Sequence, residues 1–277
     1  GEVVITSADD VTLNDAGNLA LGNAAITGNL SATAAANLTV AGDVNVALDA
    51  SLTGADIILA GTLTAADLTL NATAGSISGS GLVTADSVDA TAATSIGLNL
   101  AANSLAASAD GDIVVSDPDS LTLETVASVN GSVSVTTAGN LTVNASLSAG
   151  SDVDLTAPVI QLDASTGALN DMVLNATASG IVLQSLTVGG NLSVTAAGPI
   201  TDSGALNIAG STTLAAGSAS DITLDAANDF GGAVLITTAN DVVLNDTGAI
   251  ELGVSTISGN LAITANGAIT NSGNVTT

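Results

Sequence analysis

The chain repeats itself over a long distance without a gap. Residues Gly1 to Gly42, moved along by 231 positions, fall on Gly232 to Gly273 with 21 identities in 42 positions. Val3 meets Val234, Ile5 meets Ile236, Asp10 meets Asp241, Leu13 meets Leu244, Asp15 meets Asp246 and Asn29 meets Asn260. A biased alphabet raises chance identity but does not hold register for so long. Chains that copy themselves in this way build their core by stacking like units, none of which buries its apolar face alone. The repeat predicts one continuous segment over 1–277, in which 232–277 begins the next copy of 1–46.

A finer repeat lies inside the long one. Gly190 to Gly204 matches Gly259 to Gly273 at 10 of 15 positions, and Pro118, Pro158 and Pro199 stand 40 and 41 residues apart. These offsets suggest units of roughly 20 to 23 residues, about 12 to 14 of them in the chain. Within a unit the apolar residues alternate with polar ones, as in Val133-Ser134-Val135, Leu141-Thr142-Val143 and Val153-Asp154-Leu155. Period two and β-branched side chains read as short strands with one buried face. Gly, Asn and Asp between the runs read as turns that tolerate left-handed backbone. No stretch carries the i, i+3, i+4, i+7 spacing of a helix. Strands this short gain stability only by pairing with their counterparts one coil on, about 4.8 Å away. The predicted fold is all-β: a parallel β-solenoid, with aliphatic ladders inside and Asn amides stacked at the corners. Thirteen such coils would give a rod roughly 60 Å long.

Composition then removes most functions. The chain has 26 acidic residues, no Lys, Arg, His, Cys, Trp or Tyr and a single Phe, for a net charge of -26. Without cations it has no means of neutralising a nucleic-acid backbone, so nucleic acid is excluded as a partner. Without imidazole, thiol or amine the usual nucleophilic triads and zinc sites are absent. No apolar run reaches the roughly 18 residues of a membrane helix. The chain starts without Met or a leader, and reads as a mature product or an internal segment. A hydrophobic share of 47% argues against disorder, and the near absence of aromatics favours a narrow aliphatic interior.

Gly28-Asn29-Leu30-Ser31, Gly139-Asn140-Leu141-Thr142-Val143, Gly190-Asn191-Leu192-Ser193-Val194 and Gly259-Asn260-Leu261-Ala262-Ile263 resemble the repeats of filamentous-haemagglutinin-type exoproteins and related large bacterial surface adhesins. The resemblance covers nearly the whole chain. It implies a right-handed β-helix shaft, secreted and extracellular, with a structural role as filament or adhesin stalk. The family's Asn-Pro-Asn-Gly secretion motif is absent here, as is its usual complement of Lys, Arg and aromatics.

Several residues invite a sharper reading. Asp110, Asp112, Asp117 and Asp119 put four carboxylates within ten residues and are Ca2+ candidates, since Ca2+ seeks six to eight oxygens; solvated turn acids are the plainer reading. Asp152 and Asp154 flank an inward Val153 and are expected to face solvent. Asp202-Ser203-Gly204 and Asp246-Thr247-Gly248 look like the paired loops of aspartic proteases, where two carboxylates share a proton, but the earlier copy of the second reads Asp15-Ala16-Gly17 and favours a turn. Phe230 is expected to fill a gap. The chain is therefore expected to be non-enzymatic, with its own kind as first partner through end-to-end or lateral assembly. Divalent cations and surface glycans are further candidate partners, the glycans through binding along the solenoid flank.

Overall fold

A computed structural model describes all residues 1–277. It contains strands and no helix. The chain falls into two compact units, Gly1–Ala138 and Gly139–Thr277.

In the first unit each coil has three sides, and like sides stack in parallel. One side stacks Leu19, Leu38, Ile57, Ile77, Ile96, Ile113 and Val133 in turn. A second stacks Val11, Leu30, Ala50, Leu68, Val88, Leu105 and Leu123, and a third stacks Ala24, Val44, Leu63, Val83 and Leu100. The second unit is built alike. Its sides stack Val153, Met172, Leu192, Thr212, Val234 and Leu252, and Ile181, Ile200, Ile222, Val242 and Leu261. The third side stacks Leu147, Thr166, Leu186 and Leu206. The two units together make about 14 turns of β-solenoid.

The alternating pattern explains the core. In Leu30–Ala34 the side chains of Leu30, Ala32 and Ala34 are buried, and those of Ser31 and Thr33 face out. Each fully buried Leu, Ile or Val contributes about 1.5–3 kcal/mol relative to leaving it in water. Because a coil encloses only a thin space, aliphatics fill it and a ring is seldom needed. Phe230, 2% exposed, sits inside as expected.

Two details depart from the sequence reading. The step from coil to coil is irregular: 17 residues from Ile96 to Ile113, 18 from Ala50 to Leu68 and 22 from Thr212 to Val234. The 69-residue offset is not a whole number of coils. It carries Leu192, which lies between Met172 and Thr212 on one side, to Leu261, which lies above Val242 on another. Gly-Asn-Leu thus marks a corner and not a particular side. The corners also turn without left-handed backbone, since no residue other than Gly79 and Gly217 has such a positive φ.

The long repeat reappears in three dimensions. Val3 pairs with Leu21, Ile5 with Ala24 and Ala8 with Ile26, with a register shift in each interval. In the second unit Val234 pairs with Leu252, Ile236 with Ser255 and Ala239 with Ile257, with shifts in the same two places.

Candidate functional site

The corners carry most of the polar chemistry, and on some sides the Asp or Asn just before a strand carries it directionally. Its side-chain oxygen accepts the backbone N–H of the equivalent residue one coil later. Asp10 Oδ1 accepts from Asn29 N at 2.8 Å and from Asn29 Nδ2 at 3.1 Å, and Asn29 Oδ1 accepts from Asp49 N at 3.3 Å. In the second unit Asp152 accepts from Asp171 N, Asp171 from Asn191 N and Nδ2, and Asn191 from Ser211 N and Oγ. Asp221, Asp241 and Asn260 form a third such run. The expected Asn amide ladder is therefore a mixed Asp, Asn and Ser ladder that ties side-chain oxygens to main-chain donors. At these corners the N–H of the residue just before the strand points away from the main-chain ladder, and an Asp or Asn one coil earlier supplies its acceptor. Two N–H groups hold the exposed Asp221 carboxyl in its charged form: the Asp241 backbone donor first and the Asn240 amide second lower its pKa.

The four Ca2+ candidates do not converge. Asp110, exposed, accepts from Asn130 Nδ2 at 2.7 Å. Asp112, also exposed, accepts from Ser132 N at 2.9 Å. Asp119 is exposed and donates its own N–H to Asp117. Asp117 departs from the solvated-turn reading, being only 3% exposed. Its Oδ1 accepts from Asp119 N at 2.7 Å and its Oδ2 from Ala102 N at 3.1 Å. No group of three or more Asp, Glu, His or Cys side chains is placed to hold a metal ion. Asp152 and Asp154 face solvent on either side of buried Val153, as expected.

The protease-like triplets lie two coils apart, with Asn228 of the intervening coil between them. Asn228, fully buried, donates Nδ2 to Asp202 Oδ2 at 2.7 Å and accepts from Leu206 N at 2.9 Å. Its carbonyl accepts from the N–H and hydroxyl of Thr247. Asp246, 1% exposed, accepts from Phe230 N at 2.9 Å and from Gly248 N. The two carboxylates therefore serve separate structural donors and do not share a proton. Here the strand Ile222–Phe230 carries extra residues, since Leu224 pairs with Leu244 but Asn228 pairs with Asp246. Asp202 holds the bulge from one side through the N–H groups of Asp225 and Ala226, and Asn245 holds it from the other through their carbonyls.

One shallow groove on the second unit differs from the repeating flank. It has a volume of about 400 Å³ and is lined by Val159, Ile160, Gln161, Asp163, Val182 and Gln184 among others. Gln161 and Gln184 are the only glutamines in the chain. Gln161 Nε2 donates to both oxygens of Asp163, at 2.9 and 2.8 Å. The groove did not stand out in the sequence, two isolated Gln in adjacent coils being its available signal, whereas the gap expected at Phe230 falls at the end of the bulged strand Ile222–Phe230.

Repeats of unknown function (DUF5649) match residues 8–62, 170–237 and 239–277, more than half of the chain. Two of the matches start at equivalent points of the 231-residue repeat, at Ala8 and Ala239. No curated protein and no solved structure matches the chain.

Proposed function

We propose that this chain, which belongs to the family of repeats of unknown function (DUF5649), is a non-catalytic structural segment of a secreted or cell-surface protein. It serves as filament or stalk by stacking coil on coil. The observation that carries the reading is that each coil closes the apolar face of the one before it. Leu30, Ala32 and Leu38 are at most 2% exposed beneath the strands that follow them. Each added coil of this kind supplies both the apolar contact and the main-chain acceptors that parallel strand addition needs. The resemblance to filamentous-haemagglutinin-type repeats supports an extracellular setting, and the net negative charge of the chain keeps neighbouring shafts apart.

Sedimentation velocity over a concentration series tests this role. Association that grows with concentration is expected. Leu261→Asp and Ile269→Asp, placed where the side chains are already partly or largely in solvent, should abolish it while leaving the circular dichroism of the chain unchanged. A chain that stays monomeric throughout, or variants that associate as well as the parent, would remove the basis for the stacking role.

A second reading is favoured by the groove at Gln161, Asp163 and Gln184. Planar amides beside a carboxylate on an aliphatic floor suit the hydroxyls of a neutral glycan, which would make the segment an adhesin in its own right. Binding of neutral glycans that is lost in Gln184→Ala would establish it.

A further inference from the structure

We propose that the Asp117–Pro118 peptide bond is a built-in self-cleavage site, opened in acidic solution by the Asp117 carboxyl acting on its own main-chain carbonyl. This is the only Asp–Pro bond in the chain, because Pro158 follows Ala157 and Pro199 follows Gly198. Asp–Pro is the peptide linkage most prone to this reaction: the side chain reaches its own carbonyl through a five-membered ring, and the tertiary amide nitrogen of proline leaves readily.

The fold arranges four features around that bond. The Asp117 side chain is 3% exposed, and its orientation is fixed by Asp119 N at 2.7 Å and Ala102 N at 3.1 Å. The carbonyl to be attacked already accepts the N–H of Ala138 at 2.9 Å, a donor placed where negative charge develops as the carbonyl becomes tetrahedral. Pro118 is exposed, so its nitrogen can depart toward solvent. Finally, Asp117 and Pro118 border an open depression of about 470 Å³ lined also by Leu82, Asn99, Ser116 and Thr136, which admits water.

Protonation is favoured by the same surroundings. Burial raises the Asp117 pKa above 3.8, against the pull of the Asp119 and Ala102 N–H donors, and the Asp119 carboxylate raises it further. Asp119 is the one charged group that acts on it, the lining of the depression adds no other, and the chain contains no Lys, Arg or His to hold it ionised. The neutral acid is therefore populated at a higher pH in the fold than in the unfolded chain. Protonation also takes one carboxyl oxygen out of its N–H contact, because an O–H oxygen is a poorer acceptor than a carboxylate oxygen.

The reaction balances without any other reagent than water. A carboxyl oxygen bonds to the Asp117 main-chain carbon, the C–N bond to Pro118 breaks, and the carboxyl proton passes to the proline nitrogen. The product is a cyclic anhydride on Asp117 and a free secondary amine on Pro118. Water then opens the anhydride to the side-chain carboxyl and a new C-terminal carboxyl. The proposal does not depend on the stacking role.

The test compares the intact chain with the same chain in concentrated urea, at the lowest pH where circular dichroism without urea still shows the native strands. Mass spectrometry follows fragments 1–117 and 118–277. Cleavage about tenfold faster in the folded chain is expected, a modest share of the roughly hundredfold that one preorganised N–H donor supplies in enzymes. Equal or slower cleavage in the folded chain would overturn the proposal, because the bond would then owe nothing to the fold. Pro118→Ala, at an exposed position, should fold and remain intact under the same conditions; fragments in that variant would point to a different bond or a contaminating protease and would equally overturn it.

Discussion

Thr212 shows how a single atom can be out of keeping with its surroundings. It is fully buried between Leu192 and Val234, and its hydroxyl has no hydrogen-bond partner. Thr166, 2% exposed between Leu147 and Leu186, is in the same position. A buried polar atom left unmade costs about 1–3 kcal/mol, and Val has nearly the same shape. Thr212→Val and Thr166→Val are each expected to stabilise the chain by about 1 kcal/mol, read as a rise of about 2–4 °C in Tm. Loss of stability in both would show that the hydroxyls are satisfied in solution. Asp117 makes the opposite point. Its place in the chain looked like a solvated turn, yet it shares the parity of the inward Ile113 and Val115 within the strand Ile113–Asp117. Alternation carried further would have put it inside. What the sequence lacked was its partner, since Ala102 lies 15 residues earlier and only the coil brings the two together.

At the scale of coils, strand type and inward face were readable because period-two alternation is a local property, as in Val153–Ala157 and Leu192–Ala196. Coil length was not, because a corner can gain or lose residues without disturbing the strands on either side. The strand Ile222–Phe230 absorbs its extra residues in a bulge held by Asp202 and Asn245. The turn after Ala216 does so through Gly217, whose φ is 84° and whose surroundings are open. Gly79 is also left-handed, with φ of 144°, but a Cβ there would meet the carbonyl oxygen of Leu59 at 2.0 Å. These two positions separate backbone strain from backbone collision. Gly217→Ala should cost about 1 kcal/mol, the strain of its φ alone. Gly79→Ala should cost more than about 2 kcal/mol, since main chain must also move. Urea unfolding measures both, and equal losses would mean that the close stacking at Gly79 is relaxed in solution.

For the molecule as a whole, charge opposes the stacking that strands and core promote. Net charge is -26 with no Lys, Arg or His to offset it, so folding brings like charges together. Screening over about 8 Å at physiological ionic strength weakens that repulsion. Tm should therefore rise as NaCl is increased from a low-salt buffer. A fall in Tm with salt would require favourable charge pairs that this composition does not contain. Nothing in the sequence alone could weigh repulsion against stacking, because the balance depends on which acids share a corner, as Asp152 does with Asp171 and Asp221 with Asp241. Electron microscopy of the purified chain at moderate salt, with a power spectrum from the resulting particles, addresses that balance most directly. Continuous filaments with an axial repeat near 4.8 Å, lost in Ile269→Asp, are expected. Discrete particles at every concentration and salt, with no such repeat, would contradict coil-on-coil assembly as the basis of what this protein does.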